Sequence, residues 1–396
     1  MIVLFLIFAS VLVWFSFKSL VGGIRYLEFF RNQLARPTPT WTPFVSVICP
    51  CRGLDQGMNA NLGSLLVQDF PAYEVIFVVD DPRDPARQVI DSLIRTNAAA
   101  RLLVADKALE SGQKVENLRT AVLHANGRSE VFVFVDSDTR VSQDWLRYLI
   151  APLEDPNVGA ASGYRWFISE EPSFASELRS AWNASIASAL GPNTRSNFCW
   201  GGSMAIRRDN FERIDMGEKW RGTLSDDFAL TRSLRSEGLP IVHVPQAITA
   251  TLESCTFREL LEFTTRQMKI TRVYMPHLWL MSFVGSTIFC GVMTSAIVIA
   301  LSSRESFSFW AAVITLAFVT ACSVSKSWLR LKAIRLALPQ YSAELRRQLL
   351  TQNTLWLLTP PIFLYNCVRA LFSRRMVWRG TKYELKSPTE TVIIRD

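Results

Sequence analysis

The sequence predicts an α/β, Rossmann-like fold with a mainly parallel sheet, set between apolar helices at both ends of the chain. From about residue 44 to residue 277, strand-like runs alternate with helix-like stretches. Such alternation specifies parallel strands joined by crossover helices. Two runs, Val75-Ile76-Phe77-Val78-Val79 and Val131-Phe132-Val133-Phe134-Val135, are β-branched or aromatic throughout. Runs without polar alternation mark strands buried on both faces. Each run closes on acidic residues, Asp80-Asp81 and Asp136-Ser137-Asp138, and open α/β sheets bind ligands beyond the carboxyl ends of their strands.

The elements follow in order. Met1 to Phe17 is almost wholly apolar and Lys18 ends the first stretch. No basic segment precedes it and no small-residue cleavage site follows, so residues 1–21 read as an uncleaved transmembrane anchor rather than a signal peptide. Arg25, Arg31 and Arg36 come next and place the downstream side in the cytoplasm. Residues 22–43 read as a linker stiffened by Pro37, Pro39 and Pro43. A cytosolic domain over 44–277 then opens with a strand, Phe44 to Pro50, and a Cys51-Arg52-Gly53 loop. Helices are expected over Asn61–Gln68, Asp84–Arg95 and Asn117–Ala125. Strands are expected over Tyr73–Val79, over Leu102–Val104 and up to Asp136.

Beyond residue 277 the chain is apolar again. Leu278–Leu301 and Phe307–Val324, joined by a polar turn at Ser302–Ser306, read as a transmembrane hairpin over 278–325. Residues 326–348 carry Lys326, Arg330, Lys332, Arg335, Arg346 and Arg347 among apolar residues, the pattern of a basic amphipathic helix on a membrane surface. Residues 349–372 are apolar but interrupted by Pro360-Pro361, which remove two backbone donors; they read as a re-entrant or transmembrane segment. Residues 373–396, with Arg374, Arg375, Arg379 and Lys382, read as a cytosolic basic tail.

Composition agrees with a multi-pass protein. The 396 residues are 49% hydrophobic and the mean hydropathy is +0.16. The net charge is +8, and the basic residues cluster beside apolar segments. This suits a bilayer with anionic lipids, and no nucleic-acid motif is present. The seven cysteines are odd in number, and Cys49 and Cys51 flank a single proline, too close for ordinary disulfide geometry. They read as reduced thiols facing a cytosol. His124, His243 and His277 are far apart in sequence, which argues against a His/Cys zinc centre.

The acidic clusters carry the chemistry. Asp residues at strand ends often only shape turns, but paired carboxylates are costly to bury without a positive partner. The D-x-D spacing of Asp136 and Asp138 lets both carboxylates face one hard cation. A third acidic pair, Asp226-Asp227, follows Ser225; such a pair can be a helix cap, or it can supply a general base. Trp200-Gly201-Gly202 combines a stacking face with backbone that a ligand can approach closely, although it also suits a tight turn before a strand. Lys114 follows Gly112 at a helix start, where a cation can meet phosphate or simply face solvent.

Taken together and in this order, these motifs resemble the family 2-type inverting glycosyltransferases of GT-A fold. More closely, the chain resembles the ceramide glucosyltransferase branch, family 21. The likeness covers about residues 44 to 275, and the N-terminal anchor and C-terminal membrane segments fit it as well. Asp80-Asp81, with Asp84-Pro85-Ala86, matches the first aspartate motif, Asp136 and Asp138 the second, and Ser225-Asp226-Asp227 the third. The resemblance implies that Asp80, Asp81 and Asp136 bind a UDP-sugar donor, and Lys114, at its helix start beside these clusters, is the expected cation of the same donor site. It implies that Asp138 with Asp136 holds Mg2+ or Mn2+. By the same resemblance Asp227, supported by Asp226, becomes the base that takes the acceptor proton; Trp200, Gly201 and Gly202, from their own stacking face and open backbone, are expected to face the acceptor. The expected product is a β-linked glycolipid made from a membrane lipid hydroxyl, with UDP-glucose the expected donor.

One motif departs from the family. A (Q/R)xxRW sequence follows the third aspartate in relatives, whereas this chain reads Arg266-Gln267-Met268-Lys269-Ile270. Arg266 and Lys269 are the expected donor-site cations there, but Lys offers a point charge rather than a bidentate fork. Three other readings share the sequence: a processive polysaccharide synthase, a polyprenyl-phosphate glycosyltransferase and a non-catalytic membrane scaffold. The expected location is a bacterial inner membrane or an endomembrane, with the active site on the cytoplasmic side. The sequence assigns no oligomeric state.

Overall fold

The computed structural model describes residues 2–303 and 306–395. The chain opens with α1 (Ile2–Leu34), β1 (Val45–Pro50), α2 (Met58–Leu65), β2 (Tyr73–Val79), α3 (Ala86–Ile94) and β3 (Ala100–Val104). There follow α4 (Gln113–Leu123), β4 (Val131–Phe134), α5 (Trp145–Ile150), β5 (Ala160–Ser162), β6 (Arg165–Phe167) and α6 (Phe174–Ala187). Next come β7 (Met204–Arg207), α7 (Arg208–Arg213), α8 (Met216–Lys219), α9 (Asp226–Ser236), β8 (Ile241–His243) and β9 (Thr249–Thr251). The C-terminal third contains α10 (Phe257–Tyr274), α11 (Pro276–Ser302), α12 (Phe307–Ala337), α13 (Ser342–Thr354) and α14 (Thr359–Phe372). It closes with β10 (Arg375–Trp378), β11 (Thr381–Ser387) and β12 (Glu390–Ile394).

The chain divides into two units. The α/β unit comprises residues 33–170, 189–254 and 374–396. Its main sheet has the order β3-β2-β1-β4-β7-β5-β8. The first four strands are parallel, with Ile48 of β1 opposite Ile76 on one side and Phe134 on the other. Every residue of β4 is buried. Because side chains alternate across a strand, both faces of the sheet centre are therefore covered. The sheet is not parallel throughout: β7 runs antiparallel to both β4 and β5. That reversal sets Met204 opposite Phe134, so the loop that enters β7 lies at the carboxyl end of β4.

The helical unit comprises residues 1–32, 171–188 and 255–373. One cluster packs Phe5, Ala9 and Leu12 of α1 with Val292, Met293 and Ala296 of α11 and Ala312 and Val319 of α12. A second joins Trp182 of α6, Leu260 and Met268 of α10, and Ile362, Cys367 and Ala370 of α14. Among the described residues, four helical stretches are long and apolar enough to cross a membrane: Ile2–Leu34, Pro276–Ser302, Phe307–Ala337 and Pro339–Phe372.

Several expected boundaries are redrawn. No proline precedes Pro37, so α1 continues through the expected linker to Leu34, burying Tyr26, Leu27 and Phe30 on the way. Residues 326–348 are not a separate surface helix: α12 runs through them to Ala337 and stops before Pro339. Arg330 there is buried, donating to Ser327 and to Gln352 Oε1. Within 349–372, a 3-10 turn at Leu355–Leu358 separates α13 from α14. Pro360 and Pro361 sit in the first turn of α14, where their missing N–H groups have no helical partner to lose. The expected basic tail is instead the antiparallel sheet β10-β11-β12 of the α/β unit. The expected cytosolic domain loses α6 and α10 to the helical unit. The polar turn expected at 302–306 includes Arg304 and Glu305, which, like Met1 and Asp396, lie outside the described residues.

Candidate active site

The parallel register of β2, β1 and β4 brings the ends of β2 and β4 to one edge of the sheet, and with them Asp80-Asp81 and Asp136-Ser137-Asp138. The antiparallel β7 delivers Trp200-Gly201-Gly202 to the same edge. Ser225 caps α9, its hydroxyl accepting from Phe228 N, and so sets Asp226 and Asp227 in the first turn. Lys114 occupies the first turn of α4.

These elements meet in an alternating row of charges. Lys114 Nζ lies 2.7 Å from Asp136 Oδ1 and 3.2 Å from Asp226 Oδ1. Arg165 Nη2 lies 3.0 Å from Asp136 Oδ2, and its Nη1 lies 3.2 Å from Asp138 Oδ2. The row is thus Asp226, Lys114, Asp136, Arg165, Asp138, all little exposed. Burial alone would raise the Asp136 carboxyl, but Lys114 and Arg165 outweigh it and hold the group below the usual carboxylate range. Burial would lower Lys114, and Asp136, Asp226 and Asp227 together raise it instead. Asp226 shows the opposite balance: burial, with Asp227 and Asp136 adding to it against Lys114, pushes its carboxyl up to about 7. Its Oδ2 is buried and has no hydrogen-bond partner among the described residues.

Asp227 has a different setting. Its Oδ1 accepts from Ser225 Oγ at 2.5 Å and from Phe228 N at 2.7 Å. Among the described residues, its Oδ2 accepts only the long 3.3 Å bond from Gly201 N. It is also half-buried, whereas Asp226 is 2% exposed. The paired glycines are required by close approach. A Cβ on Gly201 would stand 2.4 Å from Asp226 Oδ2, and one on Gly202 would meet the Trp200 ring and stand 2.8 Å from Asp136 Oδ2. Trp200 is not a free platform: the Arg165 guanidinium lies 4.7 Å from its ring centre, and Tyr164 packs edge-on at 5.6 Å.

Asp80 is buried at the end of β2 and pairs with Lys107 at 2.8 Å, and Asp81 stands 3.8 Å from the same ammonium. Asp84 accepts from Gly53 N at 2.9 Å and Ala86 N at 2.8 Å, tying the loop after β1 to the loop after β2. Arg266 and Lys269 stand on α10 in the helical unit, outside the α/β unit that carries the carboxylates. Their donor-site role rests on the sequence resemblance.

Sequence reasoning missed Arg165, Lys107, Asp55 and Arg379. Arg165 had a legible signal: an arginine between Tyr164 and Trp166 in an otherwise apolar stretch needs a buried anion. Lys107, Asp55 and Arg379 become visible only when the loops converge.

Among the described residues, no group of three or more His, Cys, Asp and Glu side chains is arranged to hold a metal ion. Asp136 and Asp138 nevertheless converge on one cationic group, the Arg165 guanidinium. Two hard oxygen donors aimed at a common cation are the kind of pair that would suit Mg2+ or Mn2+. All seven cysteines are free, including Cys49 and Cys51.

Comparison with known proteins identifies the family. A profile for Glycosyl transferase family 21 matches residues 9–391. Ceramide glucosyltransferase of Komagataella phaffii is 27% identical over 139 residues, 33% of this chain and 27% of that protein. Ceramide glucosyltransferase 1 of Caenorhabditis elegans is 22% identical over 272 residues, 66% of this chain and 58% of that protein. The chain thus spans about a quarter and somewhat over half of these relatives' lengths. Among solved structures, a mannosyltransferase from Pyrobaculum calidifontis in complex with GDP-mannose and Mn2+ has a TM-score of 0.48 at 19% identity. That alignment covers 93% of this chain and 99% of the other.

Proposed function

The chain belongs to glycosyl transferase family 21, and on that premise we propose that this membrane glycosyltransferase moves a hexose from a UDP-sugar, with UDP-glucose the expected donor, to a hydroxyl of a membrane lipid. The carrying observation is the row of Asp226, Lys114, Asp136, Arg165 and Asp138 beyond the carboxyl end of β4. A ceramide-like acceptor is supported by the names of the two relatives.

The residues divide the work as follows. Asp80 and Asp81 receive the nucleoside. Asp136 and Asp138 would hold Mg2+ or Mn2+, which neutralises diphosphate charge and stabilises the departing UDP. Lys114 keeps Asp136 ionised and supplies positive charge beside the leaving group. Trp200, Gly201 and Gly202 shape the wall that the acceptor passes. Asp227 Oδ2, engaged only by one long bond, takes the proton of the acceptor hydroxyl as its oxygen attacks the anomeric carbon. The electron pair of the anomeric C–O bond leaves with UDP. Direct displacement inverts the anomer and gives a β-linked glycolipid. Asp226 supports this role from its buried ion pair with Lys114. The active site faces the cytoplasm, as Arg25 and Arg31 after the first apolar stretch suggest.

The test uses purified full-length protein in lipid nanodiscs with radiolabelled UDP-glucose, UDP-galactose or UDP-N-acetylglucosamine, Mn2+ or Mg2+, and a mixed lipid extract. Label moving into one organic-phase glycolipid, lost with EDTA, supports the proposal. Label in an insoluble polymer supports a polysaccharide synthase, and label on a polyprenyl phosphate supports that transferase class. No transfer and no metal-dependent UDP binding defeats all three.

A further inference from the structure

The turn between β10 and β11 breaks a local rule. Trp378 pairs with Thr381, so the turn has two central residues, Arg379 and Gly380. Both have positive φ, 49° and 77°. Turns of this kind favour Asn-Gly or Gly-Gly, because most side chains are strained in the left-handed region. An arginine held there is a misfit, and such misfits persist where the surroundings hold them.

The surroundings are the candidate active site. The Arg379 guanidinium pairs with Asp55, whose side chain is 3% exposed. Asp55 Oδ2 in turn accepts from Ser137 Oγ at 2.5 Å. Ser137 is the middle residue of Asp136-Ser137-Asp138. The same C-terminal sheet reaches three more loops of the site. Thr381 Oγ1 accepts from Arg52 Nη1 at 3.0 Å in the loop after β1. Tyr383 Oη accepts from Gln113 N at 3.3 Å, one residue before Lys114. The Thr389 carbonyl packs against Gly222, three residues before Ser225, so closely that a Cβ there would come within 2.2 Å of it. The positive charge of Arg379 also acts on Asp138 and Asp136.

We propose that Arg379 is a positioning residue for the donor site: the C-terminal hairpin sets its guanidinium on Asp55, Asp55 fixes Ser137, and Ser137 orients the Asp136 and Asp138 carboxylates toward the metal-bound diphosphate. The inference rests on the proposed function for the identity of the ligand. It makes the sheet β10-β11-β12 part of the active site rather than an appendage.

Two variants break the relay at opposite ends. Arg379→Gly removes the guanidinium and suits the turn's backbone better than arginine. Ser137→Ala removes the hydroxyl and leaves Asp55 paired. Each is compared with wild type, full length in nanodiscs, by amide hydrogen exchange without ligand and by calorimetric titration of UDP with Mn2+. Both should speed exchange across residues 136–138 and weaken UDP binding by about tenfold or more, the usual effect of losing an outer-shell partner. Their effects should not add in the double variant, because both cut one relay. Unchanged exchange in both variants overturns the proposal, as does unchanged UDP affinity or full additivity. If wild-type protein binds no UDP, the proposed function fails, and the exchange measurement still decides whether the hairpin holds the loop.

Discussion

Lys114 and Asp226 form a buried ion pair, Nζ to Oδ1 3.2 Å, in which the other carboxylate oxygen of Asp226 has no hydrogen-bond partner among the described residues. The same ammonium lies 2.7 Å from Asp136. Lys114 is therefore the charge that permits acidic residues from β4 and α9 to meet. Breaking a buried pair by removing one partner leaves an uncompensated charge. Lys114→Met should lower stability by about 3–5 kcal/mol, measured by chemical or thermal unfolding of the full-length protein. Asp226→Asn added to that variant should recover part of the loss. A Lys114→Met protein as stable as wild type would show that the pair carries no such charge balance.

The raised carboxyl of Asp226 has a pH signature. Its folded value of about 7 lies above the ordinary 3.8. The folded chain keeps a proton that the unfolded chain gives up between those values, so stability falls as pH rises across that window. This group's share is fully present below about 4 and lost as pH passes about 7. Asp226→Asn should flatten the fall of the unfolding midpoint between those limits. Parallel wild-type and variant profiles would contradict the assignment.

Arg165 places a guanidinium where Asp136 and Asp138 converge. A divalent cation bound by the same two carboxylates must compete with it. Arg165→Gln should therefore tighten Mn2+ binding in the absence of nucleotide by about tenfold, a difference of roughly 1.4 kcal/mol, read from the free-ion signal in electron paramagnetic resonance. Weaker or unchanged Mn2+ binding would argue that these carboxylates are not the ion's holders. Loss of the arginine should also change the fluorescence of Trp200, whose ring it covers at 4.7 Å.

How far the sequence reached depended on the range of the interaction. The strands Tyr73–Val79 and Val131–Phe134 were legible because a wholly apolar, β-branched run has few alternatives to a buried strand. Their acidic ends were legible because chain order and sheet geometry put them at one edge. The course of α1 and α12 is not legible from charge: arginine and lysine are good helix formers, so neither Lys18 nor Lys326 stops its helix, and α1 and α12 run on to Leu34 and Ala337, just before Pro37 and Pro339. The C-terminal sheet is hidden in the sequence because its arginines suggest solvent, while Tyr383 and Leu385 within it are buried. Arg165, Asp55 and Arg379 were missed because their partners lie 27 to 324 residues away, and no local pattern encodes such pairings.

Asp227 and Asp226 adjoin in sequence but divide sharply in the fold. Asp226 is locked against Lys114, while Asp227 is half-buried and, among the described residues, its Oδ2 meets only the Gly201 amide at 3.3 Å. The most direct measurement is Asp227→Asn, assayed for UDP affinity by titration with Mn2+ and for transfer of labelled hexose to lipid. Turnover should fall by about 10²–10⁴-fold, the usual contribution of a general base, with UDP affinity close to wild type. An Asp227→Asn protein that transfers hexose at the wild-type rate would contradict the role given to this carboxylate.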